Sequence, residues 1–319
     1  MCSMQEHSGS SPDGQPKLVA IVGPTAVGKT ALALALAELL PLEVISADSR
    51  QVYRHMDIGT AKPTHLERQR VPHHLIDIVN PDEVLTLAQY QEAAFQAIED
   101  TVRRGKVPFL VGGTGLYVHA VVENWQVPRV PPSPALRQEL EERARREGAL
   151  ALHRFLAQLD PVAASRIHPN NVRRVIRALE VTLSAGEPIT RLQGKGAPRY
   201  RTLMIGLSGP RHWLYERADA RVDAMIAQGL VAETKRLLDM GYSPSLPAMS
   251  GLGYRQICQH LLGHCSLEEA IRRIKGGTHR FIRQQHTWFR LDDPHVEWQM
   301  PPFSPERIAE RVQRFLTDC

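Results

Sequence analysis

Gly23-x-x-x-x-Gly28-Lys29-Thr30, inside "GPTAVGKT", follows the apolar run "KLVAIV" directly and leads into "ALALALAELL". A glycine-bracketed turn of this spacing between a strand and a helix is a phosphate-binding loop. Gly23, Pro24, Thr25, Ala26, Val27 and Gly28 can turn their backbone groups toward phosphate oxygens, and the helix start adds a partial positive charge. Lys29 supplies a point charge, and the Thr30 hydroxyl suits a Mg²⁺ ion that shares the phosphate. The loop does not say which phosphate it holds, since a kinase, an ATPase and a transferase with a pyrophosphate leaving group all need one. Asp48, just after the second apolar run "LEVIS", stands at the carboxyl end of a strand and hence beside the phosphate. In a kinase it would hold magnesium or take a proton from the acceptor; in another transferase it would be the base for a different nucleophile. As a turn residue or cap before "SRQVYRH" it would do no chemistry.

The elements that must position these groups are legible in the periodicity. "KLVAIV", "LEVIS", "HHLIDIV" and "VPFLVGG" read as strands and alternate with helical segments such as "LTLAQYQEAAFQAIEDTVRRG". That alternation predicts a mainly parallel sheet with helices on both faces, a P-loop α/β core. The pattern breaks at "VPRVPPSP", whose prolines can neither continue a helix nor pair in a central strand. Residues 129–200 then read as a helical insertion, and "TLMIGL" resumes the sheet. The expected organisation is a disordered leader over 1–16, the first part of the core over 17–128, the insertion, and a second, mostly helical part over 201–319.

The whole chain of 319 residues carries only +5, but the charge is uneven. Between residues 129 and 201 fourteen Arg and Lys stand against seven Asp and Glu, a net +7, which leaves −2 for the rest. A basic segment in a near-neutral frame points to a polyanion, with nucleic acid the first candidate and a solvated helical surface the bland alternative. Arg173, Arg174 and Arg177, at i, i+1 and i+4, would present a basic edge to phosphates. No apolar run approaches the roughly 20 residues of a membrane-spanning helix, and the opening "MCSMQEHSGSSPDGQP" has no signal-like apolar core, so a cytoplasmic location is expected. Nothing points to a protein partner. Four cysteines without a C-x-x-C pair indicate no disulfide framework. "CQHLLGHC" gathers two Cys and two His, but its apolar spacing reads as a helix packed on a core rather than a zinc site.

"GPTAVGKT", "SADSRQVYRHMDIGTAKP", "PHHLIDI", "LVGGTGLY", "RIHPNNVRRVIRALEV" and "QQHTWFR", in this order and at these intervals, closely resemble the bacterial tRNA dimethylallyltransferases, over about Lys17 to Arg290. The resemblance implies transfer of a dimethylallyl group from dimethylallyl diphosphate to N6 of adenosine 37, just 3′ of the anticodon, in tRNAs that read codons beginning with U. The loop would then grip the departing diphosphate with Mg²⁺, and Asp48 would accept the N6 proton. The resemblance also implies that Thr25 and Arg221 touch the diphosphate. Arg217, one turn before Arg221, lies on the same helical face; on spacing alone this pair reads as a solvated edge beside Glu216 and Asp219. Asp48, Ser49, Arg50 and Gln51 would surround the adenosine of the tRNA anticodon stem-loop, with Thr114 and Arg137 also at the RNA. Gly251, Gly253, Tyr254 and Arg255 of "SGLGYRQ" and Arg283 and Gln285 of "RQQHTWFR" complete the expected RNA contacts; Trp288 reads as core more readily than as a stacking platform. Two positions depart from the family pattern, His55 where glycine is usual and Gln284 where a basic residue is common. Three rivals remain open on the sequence: a small-molecule kinase, an adenylate isopentenyltransferase acting on free AMP, ADP or ATP, and a non-catalytic RNA-binding protein.

Overall fold

The computed structural model describes residues 15–318. The expected leader therefore lies outside them except for Gln15 and Pro16, as do Cys2 and Cys319. The chain forms two compact units: the first runs to Val122 and resumes at Pro198, and the second is Glu123–Ala197.

The first unit starts with β1 (Lys17–Val22), whose side chains alternate between two interiors: Val19 and Ile21 enter one, and Leu18, Ala20 and Val22 the other. A strand buried on both faces is what a parallel sheet covered by helices requires. There follow α1 (Lys29–Ala37), β2 (Leu42–Ser46), α2 (His65–Arg70), β3 (His73–His74), α3 (Leu87–Arg103), β4 (Val107–Gly112) and α4 (Gly115–Val122). The second unit holds β5 (Trp125–Gln126), α5 (Pro134–Glu147), α6 (Ala149–Leu159), α7 (Pro161–Arg166), α8 (Val172–Ala185), α9 (Ile189–Leu192) and β6 (Gly194–Lys195). The first unit resumes with β7 (Arg201–Leu207), α10 (Arg211–Ala227), α11 (Leu230–Asp239), α12 (Tyr254–Leu261), α13 (Leu267–Gln285), β8 (Val296–Gln299) and α14 (Pro305–Thr317).

All six strands of the main sheet run parallel, in the order β3-β2-β4-β1-β7-β8. Helices α1 and α14 cover one face together with Leu214 and Ala218 of α10, and α3 and α4 cover the other. A third apolar cluster joins Val52, Tyr53 and Met56 to α10, α11, α12 and α13. Within it Ile257 and Cys258 are buried, and "CQHLLGHC" forms the last turn of α12, through Leu261, and the turn that follows it.

Three sequence expectations are corrected. "HHLIDIV" joins the main sheet only through His73 and His74, with Val79 making an isolated parallel bridge to Tyr53, because Leu75 and Asp77 turn into the left-handed region (φ 63° and 58°) and Asp77 is drawn to Lys62 Nζ (2.5 Å) and Arg68 Nη1 (2.7 Å). β8 was not anticipated; it is a four-residue edge strand amid helices. The insertion starts at Glu123 and ends at Ala197 because Trp125–Gln126 pairs antiparallel with Gly194–Lys195, which also means that it is not wholly helical.

The second unit has its own core of Leu140, Leu152, Leu156, Val175, Leu179 and Val181. Glu180 is buried there and accepts from Ser133 N (2.7 Å), Arg137 Nη2 (3.0 Å) and Arg177 Nη1 (2.6 Å). Arg137 and Arg177 thereby hold a buried carboxylate of this unit while remaining half-exposed, and Arg173 and Arg174 are exposed.

A second buried carboxylate, Glu43 of β2, receives Arg104 Nε (3.0 Å) and Nη2 (2.5 Å), with His74 Nε2 at 2.7 Å. The Arg104 hydrogen bonds, helped by His74 and opposed by burial, hold its pKa down at about 2 against 4.5 for a free glutamate. A depressed carboxylate stabilises the fold fully above its unfolded pKa and loses that contribution as pH falls toward the folded one. Glu43→Gln is therefore expected to lower stability at neutral pH and to flatten the loss between pH 4.5 and 2, measured by urea unfolding across that range.

Candidate active site

The carboxyl ends of β1, β2 and β4 converge, and each carries one part of the site. After β1 the loop Gly23–Gly28 closes on α1. Gly23 has φ 142°, and a Cβ there would lie 2.3 Å from the Leu207 carbonyl oxygen, so only glycine lets β1 end this close to β7. Lys29 folds back over the loop and donates to the carbonyls of Gly23 (2.9 Å) and Pro24 (2.8 Å). Burial, reinforced by repulsion from Arg221 and partly offset by Asp48, lowers its pKa from 10.5 to about 7. The Thr30 hydroxyl makes no hydrogen bond to another described residue.

After β2, the chain turns through Asp48–Gln51. Asp48 Oδ1 accepts from Arg50 N (2.8 Å), and Ser49 N donates to Thr114 Oγ1 (3.0 Å), which ties the β2 turn to the β4 turn. Arg50 reaches the carbonyl of Pro247 (2.8 Å). Gln51 accepts from Ser46 Oγ (3.0 Å) and donates to Ala61 O (3.3 Å), so it braces this turn internally instead of reaching outward as expected. After β4, Gly113 O accepts from Gln285 Nε2 (2.9 Å), while Gln285 Oε1 accepts from Thr25 N (2.8 Å). Gln285 is buried with both amide ends engaged; it links the phosphate loop to the β4 turn and is no free RNA contact.

From α10, Arg217 Nε donates to Ala26 O (2.9 Å) and its guanidinium lies over the Trp213 ring. Arg221, one turn later, lines the cavity without a hydrogen bond or ion pair to another described residue. Burial and the neighbouring Arg217 lower its pKa, with Asp48 acting the other way. A cavity of about 300 Å³ opens here. Its polar end holds Thr25, Lys29, Asp48 and Arg221, with Asp48 the one carboxylate lining it among the described residues. Its apolar wall is Val222, Met225, Leu252, Ile274 and Phe281; the sequence reading did not single these out because four look like ordinary helix core and Leu252 lies in a Gly-rich turn.

A family model described as IPP transferase matches residues 51–292. The chain belongs to that family. It is 54% identical over 303 residues to the tRNA dimethylallyltransferase of Thermomicrobium roseum, with 94% of this chain and 92% of the relative covered. It is 57% identical over 274 residues to that of Chloroflexus aggregans, covering 86% and 93%. Among solved structures, the tRNA isopentenylpyrophosphate transferase of Bacillus halodurans is similar at 44% identity and TM-score 0.68, with 95% and 96% covered. A eukaryotic dimethylallyltransferase acting on tRNA matches at 26% identity and TM-score 0.79, with 95% and 80% covered. This likeness extends to the mainly parallel sheet with its helices. No helix among the described residues is long and apolar enough to cross a membrane.

The remaining expected contacts divide in the same way. Arg255 and Arg283 are exposed, and Arg283 Nη1 donates to Tyr215 Oη (2.8 Å). Gly253 lines the cavity and Gly251 packs near Arg50. Tyr254 is buried and donates its hydroxyl to Glu233 (2.6 Å), so it does not face RNA. Trp288 packs over Gly115, where a Cβ would approach it to 2.3 Å, and is core. His55 keeps the left-handed conformation (φ 66°) that makes glycine usual at its position, and Gln284 is exposed.

At pH 8 a lysine of pKa about 7 is mostly neutral, and an anion in the loop favours its charged form. Inorganic diphosphate is expected to bind with uptake of about one proton more in the wild type than in Lys29→Met. Calorimetry in buffers of different ionisation enthalpy reads that difference, and equal uptake by both proteins would contradict it.

Proposed function

We propose that the protein transfers a dimethylallyl group from dimethylallyl diphosphate to N6 of adenosine 37 in tRNAs that read codons beginning with U. The observation that carries this reading is the cavity itself, with cations and an amide loop at one end, an apolar wall beside them and one carboxylate between. A kinase needs the cations and the carboxylate but gives an apolar wall no work, whereas a donor made of a diphosphate and a five-carbon hydrocarbon fits both ends. Membership of the family, and relatives named for this activity, support it further.

The chemistry follows from the groups present. The N6 lone pair is delocalised into the adenine ring, so N6 attacks poorly unless the leaving group is stabilised and its proton removed. N6 forms a bond to C1 of the donor as the C1–O bond to diphosphate breaks, and the N6 proton passes to Asp48. Thr25, Lys29 and Arg221 receive the charge on the departing diphosphate, which is electrostatic stabilisation where charge develops. Arg217 anchors the loop through Ala26 O. The unengaged Thr30 hydroxyl, beside phosphates that supply further oxygens, fits Mg²⁺, which is held by few protein ligands when phosphate is bound; when bound it would neutralise diphosphate charge. The base must leave its stack to enter the cavity. Arg173 and Arg174 contact phosphates of the anticodon stem-loop, while Ser49, Arg50 and Thr114 line the base's entry.

Incubation with labelled dimethylallyl diphosphate, Mg²⁺ and either unmodified tRNA or AMP is expected to label tRNA alone; label in AMP would favour an adenylate isopentenyltransferase. Asp48→Ala is expected to lose transfer by at least about 100-fold while binding tRNA normally, and turnover near the wild-type rate would remove Asp48 from the base role. Arg173→Glu with Arg174→Glu is expected to weaken tRNA binding and reduce its salt dependence by about two in slope; an unchanged slope would return both arginines to a solvated surface.

A further inference from the structure

Glu233 of α11 is a carboxylate 1% exposed, and all its partners belong to one loop and one ring. It accepts from the backbone N–H groups of Asp57 (3.0 Å), Ile58 (2.9 Å) and Gly59 (3.1 Å), and from Tyr254 Oη (2.6 Å). The Tyr254 ring covers Gly59 so closely that a Cβ there would lie 2.5 Å from it. The loop so held is a wall of the cavity, which Gly59, Thr60 and Ala61 line. From there the connection continues inward. Gln51 donates to the carbonyls of Thr60 (3.4 Å) and Ala61 (3.3 Å) and accepts from Ser46 Oγ, and its turn carries Asp48. On the other side of the loop, Lys62 binds Tyr53 O (2.5 Å), Asp57 Oδ1 (2.8 Å) and Asp77.

We infer that Glu233 is a positioning residue for the acceptor base: it fixes the Asp57–Ala61 wall and, through Gln51, the distance between Asp48 and N6. This rests on the reading that the prenyl group meets the adenine in this cavity. Three adjacent amide donors converge on one carboxylate, so its charge and both oxygens are needed. A glutamine there presents an N–H₂ to N–H groups and leaves at least one of them unmet. A wall displaced by even a fraction of an ångström misplaces the base against the base catalyst, which costs turnover more than binding.

The test uses the full-length protein with tRNA and dimethylallyl diphosphate. Glu233→Gln is expected to lower kcat on the order of 10- to 100-fold, with KM for the donor and affinity for tRNA within about twofold of wild type and faster hydrogen exchange at the Ile58 and Gly59 amides. Tyr254→Phe, which removes one donor and leaves the carboxylate, is expected to lower kcat roughly three- to tenfold; it decides the matter if Glu233→Gln does not fold. Glu233→Gln and Tyr254→Phe that lose thermal stability but keep wild-type kcat per folded molecule would make Glu233 purely structural and overturn the inference. If the wild-type protein labels no tRNA, the functional reading falls and this inference with it; an active wild type with indifferent variants removes the inference alone.

Discussion

Positive charge gathered around one carboxylate is the constraint on which the site depends. Lys29 and Arg221 sit on different elements, and each has its protonated form disfavoured by burial and by a neighbouring arginine. Asp48 is the single carboxylate lining the cavity among the described residues, and it offsets only part of this. Such a cluster is tolerable because α1 and α10 are packed on the same face of the sheet, through Leu32, Ala33 and Leu36 on one and Leu214 and Ala218 on the other. The scaffold holds the cations where an incoming diphosphate relieves their repulsion, and little reorganisation is left for the moment when leaving-group charge appears.

The site's precision comes from side chains that tie its turns to one another. Gln285 reaches from the end of α13 to join the phosphate loop to the β4 turn, Thr114 joins that turn to Ser49, and Gln51 joins the Asp48 turn to Thr60 and Ala61. Each link ties the carboxyl end of one strand to another part of the chain. The apolar wall belongs to α10, α13 and the turn before α12, and Val222 and Ile274 in it are part of the third hydrophobic cluster.

Much of this was legible because it is local. The phosphate loop is a contiguous motif, Asp48 follows its strand by two residues, and the alternation in "KLVAIV" reports burial on both faces. What escaped is non-local or depends on where a polar end points. "HHLIDIV" carries a strand's composition, but Lys62, fifteen residues before Asp77, bends it out of the sheet. Gln285, Tyr254, Arg137 and Arg177 have the residue types of an RNA contact, and their partners are Thr25, Glu233 and Glu180 inside the fold. Glu233 itself gave no sign, since a glutamate in an amphipathic helix is ordinarily solvated. His55 shows the opposite case: a residue with a side chain holds a left-handed turn (φ 66°) of the kind that glycine adopts without strain.

The most direct measurement is a crystal structure with an unreactive thiolo analogue of dimethylallyl diphosphate and an anticodon stem-loop. The expected result is a diphosphate in the Gly23–Gly28 loop within hydrogen-bond reach of Lys29 and Arg221, the five-carbon tail against Met225 and Phe281, and adenine N6 between C1 and Asp48. A nucleoside triphosphate in the loop with its terminal phosphate directed at Asp48, and no analogue in the cavity, would contradict it.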